Sequence, residues 1–146
     1  MSPQKKISVS IFAPFPKDLV FSVITNPSNH TDFDGSGTVK GLVDGTRITG
    51  VGEVFRIRMR MWGIPYRIKN TVMEYEENSL VAWAHLGKHR WRYELEEVDG
   101  GTIINETFDW SYSVFPWLIE LAGYPKSHPP RMKKTLKALI HLLEEQ

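Results

Sequence analysis

Two titratable side chains occupy apolar-phase positions of predicted strands, where they could perform acid–base chemistry. The first is Glu106, which shares the period-2 phase of Ile104, Phe108 and Trp110. Its carboxyl group should therefore face the interior. Desolvation there would raise the pKa of Glu106 toward the range of a general acid or base. The structural alternative is a bulge that turns Glu106 outward, or a buried partner that satisfies it.

The second candidate is His85, which follows Trp83 by two residues and should share its face of a strand. A neutral imidazole in an aromatic pocket could orient a ligand carbonyl or move a proton. A histidine in this position is also common as a hydrogen-bonded core or rim residue, so both interpretations stay open. His89 begins the next strand and is predicted to be exposed.

A third group of polar side chains lies in the loop after the first helices, where His30, Asp34 and Ser36 could meet a ligand. Asp34 and Ser36 equally suit loop turns, in which their side chains bond backbone amides, and we favour that role. These residues and the candidates above include metal-ligand types, but no spacing is diagnostic of a metal site. We predict neither a metal nor another cofactor.

One face of a predicted hairpin is strongly basic, with five cations in alternating positions: Arg56, Arg58, Arg60, Arg67 and Lys69. A row of arginines can contact phosphates. Glu94 and Glu96 on a later strand predict instead a solvated face with cross-strand pairing. Since no recognition helix or nucleotide-binding loop is present, we do not expect nucleic acid binding.

The composition narrows the functional classes. The 146 residues contain 18 Lys and Arg, 17 Asp and Glu and no cysteine. A net charge of +1 predicts no strong attraction to nucleic acid or anionic membranes. The absence of cysteine excludes disulfides and thiolate chemistry and fits a reducing compartment. Without a leader or a long apolar run, we expect a cytoplasmic protein with no integral membrane association, either monomer or homodimer.

The periodicity of the chain predicts an antiparallel meander. Residues 89–110 form its clearest hairpin, with two alternating strands joined at Asp99, Gly100 and Gly101. Further strands are predicted at residues 5–12, 39–43, 50–61, 66–75 and 80–86, with a phase irregularity near Asn70. Two short helices, at residues 16–26 and 28–33, follow the first strand.

The C-terminal segment predicts the one large amphipathic element, a helix over residues 131–145 opened by Pro129 and Pro130. Its apolar stripe consists of Met132, Leu136, Leu139, Ile140 and Leu143. A sheet with one apolar face needs such a cover. We therefore predict a single α+β domain over residues 1–146, with a curved antiparallel sheet of about seven strands around this helix and a cavity between them.

Two stretches carry a family resemblance. Residues 89–111 contain W-R-Y-E-L-E-x-V-D-G-G-T and T-F-D-W, and residues 30–39 read H-T-D-F-D-G-S-G-T-V. With the order of elements, they resemble the START-like or SRPBCC helix-grip superfamily, in its bacterial polyketide cyclase/dehydrase and lipid-transport-like branch. The resemblance implies a deep cavity for hydrophobic ligands. It supplies no catalytic motif, since only some members are enzymes.

These observations predict a protein that binds a small hydrophobic ligand, lipid- or polyketide-like in character, for transport or sequestration. The predicted lining comprises Phe55, Ile57, Met59, Tyr66, Trp83, His85, Trp91, Tyr93, Glu106, Phe108 and Trp110 from the sheet and Met132, Leu136 and Leu139 from the helix. Residues 113–124, apolar but broken by proline and glycine, could gate it. Two alternatives remain: a cyclase or dehydratase that uses Glu106 or His85 as acid or base, and an interaction domain with a filled core that uses the basic face.

Overall fold

Seven strands and two α-helices make up the part of the chain that the computed structural model describes, residues 5–30, 39–61, 63–84, 89–111 and 124–145. The strands are β1 (Lys6–Ala13), β2 (Val39–Asp44), β3 (Val54–Met61), β4 (Ile64–Glu76), β5 (Leu80–Ala84), β6 (Arg90–Val98) and β7 (Gly101–Asp109). The helices are α1 (Lys17–Ile24), a 3-10 turn (Pro27–Asn29) and the C-terminal α2 (Tyr124–Glu144).

The strands form one antiparallel sheet in the order β1-β7-β6-β5-β4-β3-β2. Strands β2 to β7 form the predicted meander, and β1 joins it beside β7. The apolar stripe of α2 is buried except for Ile140, which is partly exposed, and the helix packs chiefly against β1, with further contacts to β7 and α1. This arrangement confirms the predicted α+β fold with a sheet around a C-terminal helix.

The start of α2 differs from the prediction. The helix begins at Tyr124, and Pro129 and Pro130 lie inside it rather than at its first turn. Each proline removes a backbone donor, which is why prolines predict a helix start. Their fixed φ is nevertheless in the helical range, so the prolines themselves can adopt the helical conformation.

The start of another element differs as well, and two predicted segments run beyond the described residues. Strand β3 begins at Val54 and not at residue 50, because Val51 and Gly52 form a turn in which Gly52 has a φ of +91°. Of the second short helix predicted over residues 28–33, the structure describes a 3-10 turn over Pro27–Asn29 and a helical His30, and residues 31–33 lie outside the described residues. The end predicted for β5, together with Asp34, Ser36 and the predicted gate up to residue 123, lies outside the described residues.

The phase irregularity predicted near Asn70 is a register shift between Val72 and Glu74, where β4 pairs with β5. Met73 lies at the shift and is largely exposed. After it, Tyr75 points back to the interior, where its ring meets Phe21 edge-on with centroids 5.6 Å apart. The bulge therefore keeps Tyr75 on the core side of the sheet although it is out of phase with Val72.

The β6–β7 turn depends on two glycines for different reasons. Gly100 has a φ of +83°, a conformation that favours glycine. Gly101 does not, but a Cβ atom there would lie 2.1 Å from the carbonyl oxygen of Ala13. The absence of a side chain at Gly101 therefore lets β1 pair with β7 up to its last residue, Ala13.

Candidate functional site

Among the described residues, the buried apolar side chains form two neighbouring clusters, and Val9 and Trp91 pack against both. The larger one includes α1 and residues such as Val20, Val81, Ile104 and Leu143. The smaller one consists of Phe108, Trp110 and Met132, against which Ile7, Val9 and Trp91 pack. Most of the predicted lining residues belong to these clusters or pack against them; Glu106 and Tyr66 do not, and His85 lies outside the described residues.

The predicted lining residues differ in how far they are buried. Ten are buried: Phe55, Ile57, Trp83, Tyr93, Glu106, Phe108, Trp110, Met132, Leu136 and Leu139. Met59, Tyr66 and Trp91 have the same strand phase as the buried residues but remain partly exposed. By strand register these three lie toward the end of the sheet that carries Phe108. We call this end the open end.

Glu106 lies in the middle of the interior wall, opposite Val9 of β1 and Tyr93 of β6. Its side chain is 1% exposed, and the phenol of Tyr93 donates a hydrogen bond to its carboxylate oxygen Oε2. The register of β7 is continuous through Glu106. No bulge turns it outward, so a hydrogen-bonded carboxyl group stands on an otherwise largely apolar wall.

A stack of rings leads away from this pair. Tyr93 stacks on Trp83 with centroids 5.5 Å apart, and Trp83 stacks on His30 at 4.8 Å. His30 also meets Phe55 edge-on at 5.3 Å. Aromatic contacts of this kind add stability beyond the area they bury. The Tyr93–Glu106 pair is therefore held on one side by fixed rings.

His30 is the interior residue that strand periodicity did not assign to the lining. It is buried, and its Nε2 lies 3.0 Å from the carbonyl oxygen of Ile24. In a neutral ring this bond places the proton on Nε2. His30 directly follows a one-turn 3-10 helix, so neither a strand nor a helix period marks its side chain as internal. Asn70 is also buried, opposite Phe55, and it shares the strand phase of Tyr66 although it was not among the predicted lining residues.

Phe108 is the centre of a second aromatic group at the open end. Its ring lies 4.7 Å from Trp91, 5.7 Å from Trp110 and 5.3 Å from His89, measured between centroids. The prediction that His89 is exposed was wrong, because its imidazole packs against Phe108 and is only partly accessible. Burial lowers the pKa of His89 below its usual 6.5.

The lowered pKa of His89 predicts that the stability of the fold depends on pH. The folded protein binds this proton at lower pH than the unfolded chain, so the free energy of unfolding should fall as the pH drops below about 6.5. The slope from one such group is at most about 1.4 kcal/mol per pH unit. We expect His89→Gln to make the curve flatter between pH 7.5 and 5.5, measured by urea unfolding.

The control is His141→Gln, since His141 is exposed on α2. The flattening of the curve should be larger for His89→Gln than for this control. A His89→Gln protein that keeps the wild-type slope would show that His89 is solvated as a cation in the folded state.

The ion pairs of the outer face differ from the prediction that Glu94 and Glu96 balance the basic residues of the hairpin. Glu94 pairs with Arg92 of its own strand, and Glu74 accepts from Arg90 at 3.1 Å and Arg92 at 3.3 Å. The acids of β6 thus do not balance the basic residues of β3 and β4. A groove of 340 Å³ is lined by Arg92 and Glu94 together with other residues of β5, β6 and β7, and Glu106 is not among its lining residues.

Two wider features bear on function. Among the described residues, no three His, Asp or Glu side chains are grouped as they would be around a metal ion. Likewise, no helix in the described part of the chain is long and apolar enough to cross a membrane.

No family model matches the sequence. The uncharacterized protein Rv0088 of Mycobacterium tuberculosis is 34% identical over 139 residues, which are 92% of this chain and 62% of that protein. The chain thus spans about three fifths of the length of this relative.

Solved structures share the fold at low sequence identity. Protein NE0264 from Nitrosomonas europaea has a TM-score of 0.76 and 15% identity, with 99% of this chain and 97% of that one covered. An AHSA1-like protein from Aeromonas hydrophila has a TM-score of 0.66 and 18% identity, with 96% and 92% covered. The chain therefore has the helix-grip fold, and its structural neighbours include AHSA1-like proteins.

Proposed function

We propose that this protein binds a small, largely apolar molecule between the sheet and α2, at the open end. The observation that carries the proposal is the Tyr93–Glu106 pair, buried on a wall of aromatic side chains. Ligand sites are mostly apolar with a few polar groups that fix orientation. This wall matches that pattern, and it suits a lipid- or polyketide-like molecule with an apolar body and one hydrogen-bonding group.

Partial exposure at the open end supports binding over a filled core. Val81, Ile104 and Leu143 of the larger cluster are fully or almost fully buried, whereas Met59, Tyr66 and Trp91 at the open end retain accessible surface. Exposed aromatic and thioether groups that adjoin a buried apolar wall are suited to contact an apolar ligand, and methionine adapts its shape to it. We further propose that the protein uses this site to transport or sequester its ligand in the cytoplasm.

A cyclase or dehydratase is the second candidate, and the same pair supports it. A phenol that donates to a buried carboxyl group can pass a proton between a substrate and the protein. Tyr93 and Glu106 would then act as acid and base on a ketide-like substrate folded against the rings of Trp83 and Trp91. His85, the other predicted acid or base, is not among the described residues.

Native mass spectrometry of protein purified without added ligand tests the proposal. We expect a retained apolar molecule, which extraction would identify. Trp91→Leu should weaken its binding at least tenfold, because it removes aromatic area from the open end. Met73→Leu, on the outer face, is the control and should leave affinity unchanged.

Two results would decide between the candidates. Glu106→Gln that abolishes turnover of a ketide panel while it preserves affinity would establish the enzyme. A protein that retains nothing, and whose melting temperature does not change across a panel of hydrophobic ligands, would contradict binding and favour the filled core.

A further inference from the structure

The β3–β4 hairpin has an unusual charge. Residues 54–73 contain five Lys and Arg and no Asp or Glu, while the rest of the chain contains thirteen basic and seventeen acidic residues. The net charge of the chain is close to zero because a strongly cationic hairpin offsets the excess of acidic residues in the rest of the chain.

The pairing of the hairpin concentrates these charges on its outer face. Arg56 lies opposite Lys69, Arg58 opposite Arg67, and Arg60 opposite Pro65. Like charges directly opposite each other destabilise a sheet. Among the described residues the ion pair that relieves this repulsion is Arg56 with Asp44, at 3.0 Å and about half exposed. The repulsion between these opposed cations destabilises the free protein. Contact with the negative charges of an anionic surface would relieve it.

The tip of this hairpin is apolar. Gly63 turns the chain with a φ of +77°, and Ile64 and Pro65 follow. Ile64 has the strand phase of interior residues, but it lies beyond the body of the protein and is 64% exposed. A groove of 430 Å³ beside the tip is bordered by Arg58, Met59, Arg60 and Pro65. It combines two guanidinium groups with apolar walls.

We propose that the β3–β4 hairpin docks the protein on the surface of membranes that contain anionic phospholipids. Ile64 and Pro65 enter the interface, and Arg58, Arg60 and Arg67 contact headgroup phosphates. Basic side chains near an anionic leaflet and apolar side chains in the interface each contribute to such binding. An exposed aliphatic tip favours a lipid surface over nucleic acid, which offers no apolar phase to receive it.

The direction of the strands links this surface to the interior. Ile64, the partly exposed Trp91 and the buried Phe108 all lie toward the same end of the sheet. A molecule docked through the hairpin tip therefore presents its open end to the membrane. A lipid-like ligand could exchange there without crossing water.

Co-sedimentation with vesicles tests the docking. We expect binding to vesicles with 30% phosphatidylglycerol in phosphatidylcholine, little binding to phosphatidylcholine alone, and loss of binding at high salt. Each basic residue contributes about a fivefold increase in partitioning, so Arg58→Gln with Arg60→Gln should weaken it about 25-fold. Lys17→Gln with Lys137→Gln, an equal charge loss on α1 and α2, should have little effect.

The apolar contribution has a matched control as well. Ile64→Gln should weaken binding about tenfold. Val51→Gln should not, although Val51 is 63% exposed, because it lies at the opposite end of the same two strands. Equal losses in Ile64→Gln and Val51→Gln, or equal binding to neutral vesicles, would overturn the proposal.

Binding of a duplex or single-stranded oligonucleotide, without binding to anionic vesicles, would also overturn it and identify a nucleic acid surface. The docking stands apart from the interior site. Ile64→Gln should retain its affinity for a soluble apolar ligand, so failure of docking and failure of ligand binding are separate results.

Discussion

Phe108→Ala is expected to lower the free energy of unfolding by about 3–5 kcal/mol, the range found when a buried phenylalanine is truncated. Phe108 is 1% exposed and contacts the rings of Trp91, Trp110 and His89. Trp91 lies in β6, His89 directly precedes β6 and Trp110 directly follows β7, so strand pairing holds these neighbours apart and they should not close over the space left by the ring. Urea unfolding monitored by circular dichroism measures the loss.

The control for this substitution is Phe12→Ala. Phe12 faces outward on β1 and is 45% exposed, so its truncation should cost less than about 1 kcal/mol. A small aromatic compound such as indole should bind the cavity left by Phe108→Ala and restore part of its stability. A cost below 1 kcal/mol for Phe108→Ala would show that the open end is loosely packed.

The sequence predicts the face of each strand better than it predicts the residues between strands. Glu106 and Trp91 have the phases expected of them because a strand fixes side-chain direction with a period of two. The phase of Tyr75 was harder to predict, since a single bulged residue reverses it. His30 was predicted as a possible ligand contact, but its burial could not be predicted, because it results from packing against Trp83, which no local period encodes.

The distribution of charge over the sheet could not be predicted from the composition of the chain. A net charge of +1 predicted no attraction to anionic surfaces, and Glu94 was expected to balance the arginines of β3. In the sheet, β4 and β5 separate β3 from β6, and Glu94 pairs with Arg92. Strand order decides which charges meet, and strand order follows from tertiary packing rather than from composition.

Tyr93→Phe is expected to lower the free energy of unfolding by about 1–3 kcal/mol, the cost of leaving a buried polar group short of a partner. The substitution removes only the phenol oxygen, which donates to Glu106. Glu106→Leu should cost a similar amount, because it leaves the phenol without this acceptor. Thermal and urea unfolding of both variants measure the two effects.

The double substitution Tyr93→Phe with Glu106→Leu separates this bond from packing. If the two groups act mainly through each other, the double variant should be more stable than the sum of the single losses predicts, by about 1–2 kcal/mol. Tyr75→Phe is the control, since Tyr75 also faces the core but packs on Phe21, away from Glu106.

The same cycle bears on function. A pair kept only for stability could be replaced by Phe and Leu with little loss, because two apolar groups of similar shape satisfy a buried site as well as a hydrogen bond does. Under the proposed function, the stable double variant should lose affinity or turnover for ligands with a polar group and keep its affinity for pure hydrocarbons. Unchanged selectivity would make the pair structural. Altered selectivity in a folded protein would establish it as the polar handle of the site.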